Sequence, residues 1–253
     1  MVKGLLERPR DFGGIWMKPI YLFADSQLLF WRHEGELFIE RLLGEVDSAS
    51  PKAAYIGASN EDNPEYYGIF QAAVEGIGIA NHRMIGSEPS DEQQAFLEQA
   101  DVVLLAGGDP VHGWRVLERN GVRDIIARRY YEGALLCGVS AGAAQLGWAA
   151  YRRDGGAMEL AATFRFVPCV IDVHDEDGNW ISLKEAVEKA RPRVKGIGIP
   201  AGGGLVFHSD DNSIEPIRRP VHECTLSEGT FEERLLLPWT ERKELDTLPR
   251  GVH

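Results

Sequence analysis

The chain has 253 residues, with 27 Lys plus Arg against 39 Asp plus Glu, and a formal net charge of −12. Apolar residues make up 44% and charged residues 26%; a chain of this make-up and length holds a core without disulfides or a structural metal, which excludes a disordered chain, a collagen-like repeat and a disulfide scaffold. The acidic balance, with a pI near 5.1, sets nucleic acid and anionic membrane surfaces aside as partners, because both repel negative charge.

Residues 1–17 read as an arm, since Arg8, Pro9, Arg10 and the Gly13–Gly14 pair break any periodicity. An apolar run at 19–24 reads as a buried strand. Residues 33–46 carry Leu37, Phe38 and Leu42 at helical spacing, which predicts a helix. A second buried strand spans 52–57, and a helix is expected over 66–79. A short strand follows at 82–85. Ser90 with Gln93 three residues on is a capping-box pattern opening a helix to about 99. Residues 101–106 form a strand, Gly107-Gly108-Asp109-Pro110 a turn, and 111–132 a helix broken near Asn120-Gly121. The strand at 134–139 leads into a small-residue helix over 141–150. Later signals are weaker: strands at 167–173, 195–199 and 204–207, a helix at 183–190, and a polar surface tail from about 239.

Strand and helix alternate, and the strands are continuous apolar runs. That pattern predicts an α/β fold with a mostly parallel central sheet flanked by helices on both faces. No repeat or low-complexity linker interrupts it, so residues 1–253 read as a single catalytic domain. Cys137, Cys169 and Cys224 are widely spaced and two of them sit in apolar runs, as expected of buried structural thiols. No secretory signal is visible at the N-terminus and no apolar run approaches membrane-spanning length. The expected compartment is the reducing cytoplasm.

Gly138-Val139-Ser140-Ala141-Gly142 fits G-x-S-x-G between a buried strand and a helix of small residues. A tight turn in that context holds the serine in a strained conformation with its hydroxyl projecting from the sheet edge, the geometry of a nucleophile. The competing reading is a plain strand-to-helix turn with Ser140 as N-cap. As a nucleophile, Ser140 would have the Ala141 N–H beside it as an oxyanion donor. Gly107 and Gly108 end a neighbouring strand and let the backbone approach a ligand, so the Gly108 N–H is the second candidate donor; Asp109 and Pro110 also suit the cap and first residue of a helix.

A serine nucleophile needs a base, and histidine is the usual one. Of the seven histidines, His174 ends a predicted strand, where catalytic groups of parallel-sheet enzymes gather. His112 lies close to the Gly-Gly turn but on a helix. His208 and His222, with Asp210, would serve instead if the chain were an ordinary α/β-hydrolase of the esterase or lipase type.

Gly107-Gly108-Asp109, then Gly138 to Ala143 (GVSAGA), then Ile171-Asp172-Val173-His174 resemble the peptidase E and cyanophycinase family of serine peptidases, over about residues 18–215. The resemblance implies a class I glutamine amidotransferase-like fold, a flavodoxin-like three-layer sandwich. It also implies a serine in the SAGA elbow, a histidine at the end of a later strand, and an acid shortly after the serine. Asp154, 14 residues after Ser140, is the favoured acid, and Glu159 is the alternative. Two departures stand out: Pro110 replaces a polar residue that commonly follows the Gly-Gly-Asp motif, and the loop after His174 is Asp175-Glu176-Asp177. That loop reads first as a solvated acidic loop and argues against aspartyl specificity.

The expectation is therefore a serine peptidase acting on a small peptide or amide, with Ser140, His174 and Asp154 as triad and Gly108 and Ala141 as oxyanion donors. No metal or organic cofactor is implied. A non-catalytic binding protein that keeps the fold is the rival from another class, and monomer or homodimer is left open.

Overall fold

The computed structural model describes residues 17–154, 156–190 and 194–238, with the main chain alone at Asp154. The expected arm, Met17 excepted, and the tail from 239 lie outside the described residues. In chain order the elements are β1 (Ile20–Phe23), β2 (Arg32–His33), β3 (Glu36–Leu37), α1 (Arg41–Gly44), β4 (Lys52–Ile56), α2 (Pro64–Gly76), β5 (Asn81–Ile85), α3 (Asp91–Leu97), β6 (Val102–Leu105), α4 (Pro110–Arg119), α5 (Val122–Tyr131), β7 (Leu135–Val139) and α6 (Ala141–Leu146). Then follow β8 (Ala149–Asp154), β9 (Ala157–Ala162), β10 (Cys169–Val173), α7 (Ile181–Ala190), β11 (Lys195–Ile199), β12 (Gly204–His208), β13 (Ser213–Ile217), β14 (Val221–Ser227) and β15 (Thr230–Leu236).

The central sheet has the order β13-β12-β1-β7-β6-β4-β5. From β1 to β5 every pairing is parallel, while β12 and β13 add an antiparallel edge. Alternate residues of each strand feed opposite faces. Ile56, Leu105 and Leu136 pack with Trp114 and Ile126 on one face, and Tyr55, Leu104 and Cys137 pack with Phe70 on the other. Both faces are buried, which is why these strands read as unbroken apolar runs. β7 lies between β1 and β6, so whatever follows it emerges over the middle of the sheet, at the carboxyl ends of the parallel strands.

Ser90 and Gln93 form the expected capping box at the start of α3, and the helix break at Asn120-Gly121 separates α4 from α5. Other expectations need correcting. The long helix over 33–46 is absent: Glu34 (φ 52°) and Gly35 (φ 93°) make a two-residue turn between β2 and β3. Only α1 and a 3-10 turn at Phe38–Glu40 remain of the helix. The apolar stripe is still buried through Phe38 and Leu42, so the pattern reported burial correctly and periodicity wrongly. α6 stops at Leu146 rather than continuing to 150. Gly147 passes so close to β10 that a Cβ there would sit 2.8 Å from the Cys169 carbonyl oxygen, and the chain turns into the β8–β9 hairpin.

The larger surprise is a second sheet, β10-β11-β14-β15, with β10 and β11 parallel and the remaining pairs antiparallel. Val170, Leu183, Val187 and Cys224 pack around Trp180 beneath it. The three cysteines are free and buried. Burial pushes their thiols up, to about 12 for Cys137 and Cys169 and about 11 for Cys224, so they remain protonated packing groups. Among the described residues no helix is long and apolar enough to cross a membrane.

Candidate active site

Ser140 sits between β7 and α6 with φ 52° and ψ −111°, a conformation that costs a non-glycine residue about 1–3 kcal/mol. The neighbouring glycines explain how the turn closes. A Cβ on Gly138 would lie 2.6 Å from the Ala143 nitrogen, and one on Gly142 would strike the Leu105 carbonyl. The chain therefore folds back on itself with no room for side chains two residues before and two residues after the serine. The Ser140 carbonyl accepts from Ala144 N–H at 3.2 Å, so its main chain starts the helix, but its side chain makes no capping bond. The plain N-cap reading fails there, and the half-buried hydroxyl is left for other work.

The Gly107–Asp109 turn lies against this elbow. A Cβ on Gly107 would be 3.3 Å from that of Ser140. Gly108 has φ +135°, and a side chain there would collide with the Ser59 carbonyl. Asp109 N–H donates to that same carbonyl at 2.8 Å. Its carboxylate accepts from Val111 N–H at 2.9 Å and His112 N–H at 2.8 Å, capping α4 ahead of Pro110 as expected. Arg152 closes on the other oxygen at 2.9 Å. Partial burial opposes ionisation of Asp109, but these hydrogen bonds and the guanidinium outweigh it and hold the carboxyl below its ordinary value. Buried Gln145 ties α6 to the turn through Ser59 Oγ and the Pro110 carbonyl.

His174 follows β10 directly, at φ 62°, with its N–H donating to the Ile199 carbonyl at 3.2 Å. It comes from the second sheet, not the central one. Ser140, His174 and Gly108 together line two adjoining cavities, of about 260 and about 220 Å³; Gly107 borders the larger and Ala141 the smaller. The histidines of the esterase reading lie elsewhere. His222 stacks on Trp180 and pairs with Glu233 at 2.9 Å, and His208 faces Glu215 at 3.4 Å. Neither borders the Ser140 cavities, and His112 is exposed on α4.

The candidate carboxylates fall into different settings. Glu159 is held by Arg152 and Arg115 in an ion-pair cluster. Asp154 pairs with Ala157 at the turn end of the β8–β9 hairpin, and its side chain lies outside the described residues. Three residues before it on the strand, about 10 Å back, Tyr151 borders the smaller cavity together with Asp172. Asp172 Oδ1 accepts from Val173 N–H at 2.9 Å. Asp172 Oδ2 and the Tyr151 hydroxyl are buried and unpartnered; they feel each other electrostatically, but their geometry falls short of a hydrogen bond. Burial pushes Asp172 up to about 6, with the charge of Asp175 adding to the rise and that of His174 opposing it. Burial likewise raises the Tyr151 phenol. Asp172 lies near the end of β10 and His174 just beyond it, and both border the smaller cavity. Of the acidic loop, Asp177 alone is exposed, and Glu176 accepts from Ala201 N–H at 2.9 Å. The loop is partly built into the fold rather than solvated throughout.

The sequence profile of peptidase family S51 matches residues 31–212. The chain belongs to that family. Family S51 comprises serine peptidases, so this S51 chain is a hydrolase of that type, within the span over which the motifs resemble peptidase E and cyanophycinase. Solved structures share the fold. A peptidase from an acI-B1 actinobacterium superposes with a TM-score of 0.60 at 16% identity, covering 90% of this chain and 97% of that one. A putative peptidase E protein from Listeria monocytogenes EGD-e gives 0.55 at 16% identity, covering 80% and 98%. No curated protein matches the chain.

Proposed function

We propose that this S51 chain hydrolyses a small peptide or amide, with Ser140 as nucleophile and His174 as general base. The observation that carries the reading is that both residues, each held at positive φ, border the same two cavities. Ser140 Oγ attacks the scissile carbonyl carbon as His174 takes its proton. The developing oxyanion is met by the N–H groups of Gly108 and Ala141. His174 returns the proton to the leaving amine as the C–N bond breaks, and water then releases the acid from the acyl-serine by the same route.

For the acid beside His174, Asp172 has the better support, because it borders the serine's cavity and its charge couples to the imidazole. It would favour the imidazolium that forms in each half-reaction. Asp154 is the second reading, supported by its place shortly after the serine. The test is turnover of a dipeptide library read by mass spectrometry. Ser140→Ala should abolish cleavage and His174→Ala should cut it at least roughly 100-fold, each with circular dichroism unchanged. Asp172→Asn should lower kcat far more than Asp154→Asn; the opposite ranking returns the role to Asp154. Cleavage surviving in Ser140→Ala would end the reading.

A further inference from the structure

The larger cavity differs chemically from the smaller one. Its walls are Leu29, Tyr55, Tyr66, Ile69, Phe70 and Leu104. Tyr66, Ile69 and Phe70 stand at positions i, i+3 and i+4 of α2, so one helix face forms a wall. Tyr55 and Leu104 are register partners on β4 and β6 and form the floor, with Val139 leading up to the serine. Tyr55 and Phe70 hold their rings 5.4 Å apart, and the Tyr55 hydroxyl is satisfied by Asn60 at 2.9 Å. Tyr66 is 54% exposed, a large aromatic at the rim with one face unfilled.

Charge completes the picture. Among the described lining residues there is no lysine or arginine. The carboxylate that borders the cavity is Asp25, whose oxygens accept from Gln27 N–H at 2.8 Å and Gly202 N–H at 2.6 Å. An acidic side chain placed here would lose part of its water, meet no lysine or arginine and face Asp25; each of these disfavours it. An aromatic or large aliphatic side chain would bury apolar surface against α2 and the sheet. A cavity of about 260 Å³ is at the small end of ligand sites, suited to one side chain rather than a long chain.

Building on the proposed hydrolysis at Ser140, we infer that this cavity receives the side chain of the residue whose carbonyl is attacked, and that it selects aromatic or large aliphatic residues over acidic ones. Tyr66 is the specificity-determining residue at the rim, with Ile69 behind it. Phe-Leu and Asp-Leu separate the classes. The intact enzyme should cleave Phe-Leu with a kcat/KM at least roughly 100-fold above that for Asp-Leu. Tyr66→Arg, at an exposed position of α2, should cut that ratio about tenfold or more by weakening Phe-Leu and improving Asp-Leu. Calorimetric titration of Ser140→Ala with the same dipeptides reads the preference without turnover and should show Phe-Leu bound more tightly. Asp-Leu cleaved or bound in preference overturns the specificity while leaving the hydrolase in place. Phe-Leu bound by Ser140→Ala but cut by neither the intact enzyme nor Tyr66→Arg supports the pocket and overturns the hydrolysis. Equal handling of the two dipeptides, unchanged in Tyr66→Arg, overturns the inference.

Discussion

The elbow and the second sheet deliver the two halves of the proposed site by different means. Ser140 is placed by its immediate neighbours: a buried strand, two glycines where any Cβ would press on main chain, and a helix that starts on its own carbonyl. His174 is placed by pairings far along the chain. β10 leans on β11, β11 on β14 and β14 on β15, with Trp180 and Cys224 packed beneath. A local steric motif survives changes elsewhere in the chain. A base carried on a separate sheet depends on every pairing that holds that sheet against the first. The proposed nucleophile should therefore tolerate little substitution next to it, and the proposed base little loosening at a distance.

The sharpest way to break this contrast is to compare histidines on the second sheet. His174→Ala should cost roughly 10²–10⁴-fold in kcat/KM on a cleaved dipeptide, and His222→Ala, which loses its Trp180 stack and its Glu233 pair but no reacting group, less than about tenfold. Reversal of that order would return the base to the esterase assignment. Next comes Gly142→Ala, whose Cβ strikes the Leu105 carbonyl. Urea unfolding should show a loss of roughly 1–3 kcal/mol, whereas Gly229→Ala, in open space on the β14–β15 turn though at φ +81°, should lose less.

Asp172→Asn probes the seam between the regions through pH. Because burial raises Asp172 from an ordinary value of 3.8 to about 6, the folded state holds this proton more tightly than the unfolded chain. The stability so gained is fully present below about pH 4 and is lost as pH rises through about 6. Asparagine does not titrate, so the variant should gain on the intact protein across that interval. The gain should level off at about 3 kcal/mol by pH 8 in urea unfolding; a difference independent of pH would show that Asp172 ionises normally. The smallest effect is Ser140→Gly. It relieves the positive φ and should raise stability by about 1 kcal/mol while abolishing activity. A loss of stability would mean that the elbow is not strained at the serine.

What the sequence revealed follows the same division. Each strand of the parallel set, the capping box of α3, the Asp109 cap and the elbow are written in neighbouring residues, and all were legible. The false helix over 33–46 arose because its stripe is buried in a 3-10 turn and a short helix, which a period count cannot tell from a longer one. The second sheet was hidden because β15 is largely exposed and rich in charge and β14 mixes polar His222, Glu223 and Thr225 with apolar residues, so their pairing shows only in the folded chain. Asp172 stood in the quoted motif throughout, but its burial and its shared cavity with Ser140 arise from packing against Tyr151, which no local pattern announces.

The claim that a serine from one sheet and a histidine from another act together is tested most directly by covalent labelling. Treated with a fluorophosphonate and digested, the intact protein should carry one adduct, on Ser140, formed far more slowly in His174→Ala at unchanged fold. Labelling at another residue, or at Ser140 with the same rate when His174 is gone, would contradict it.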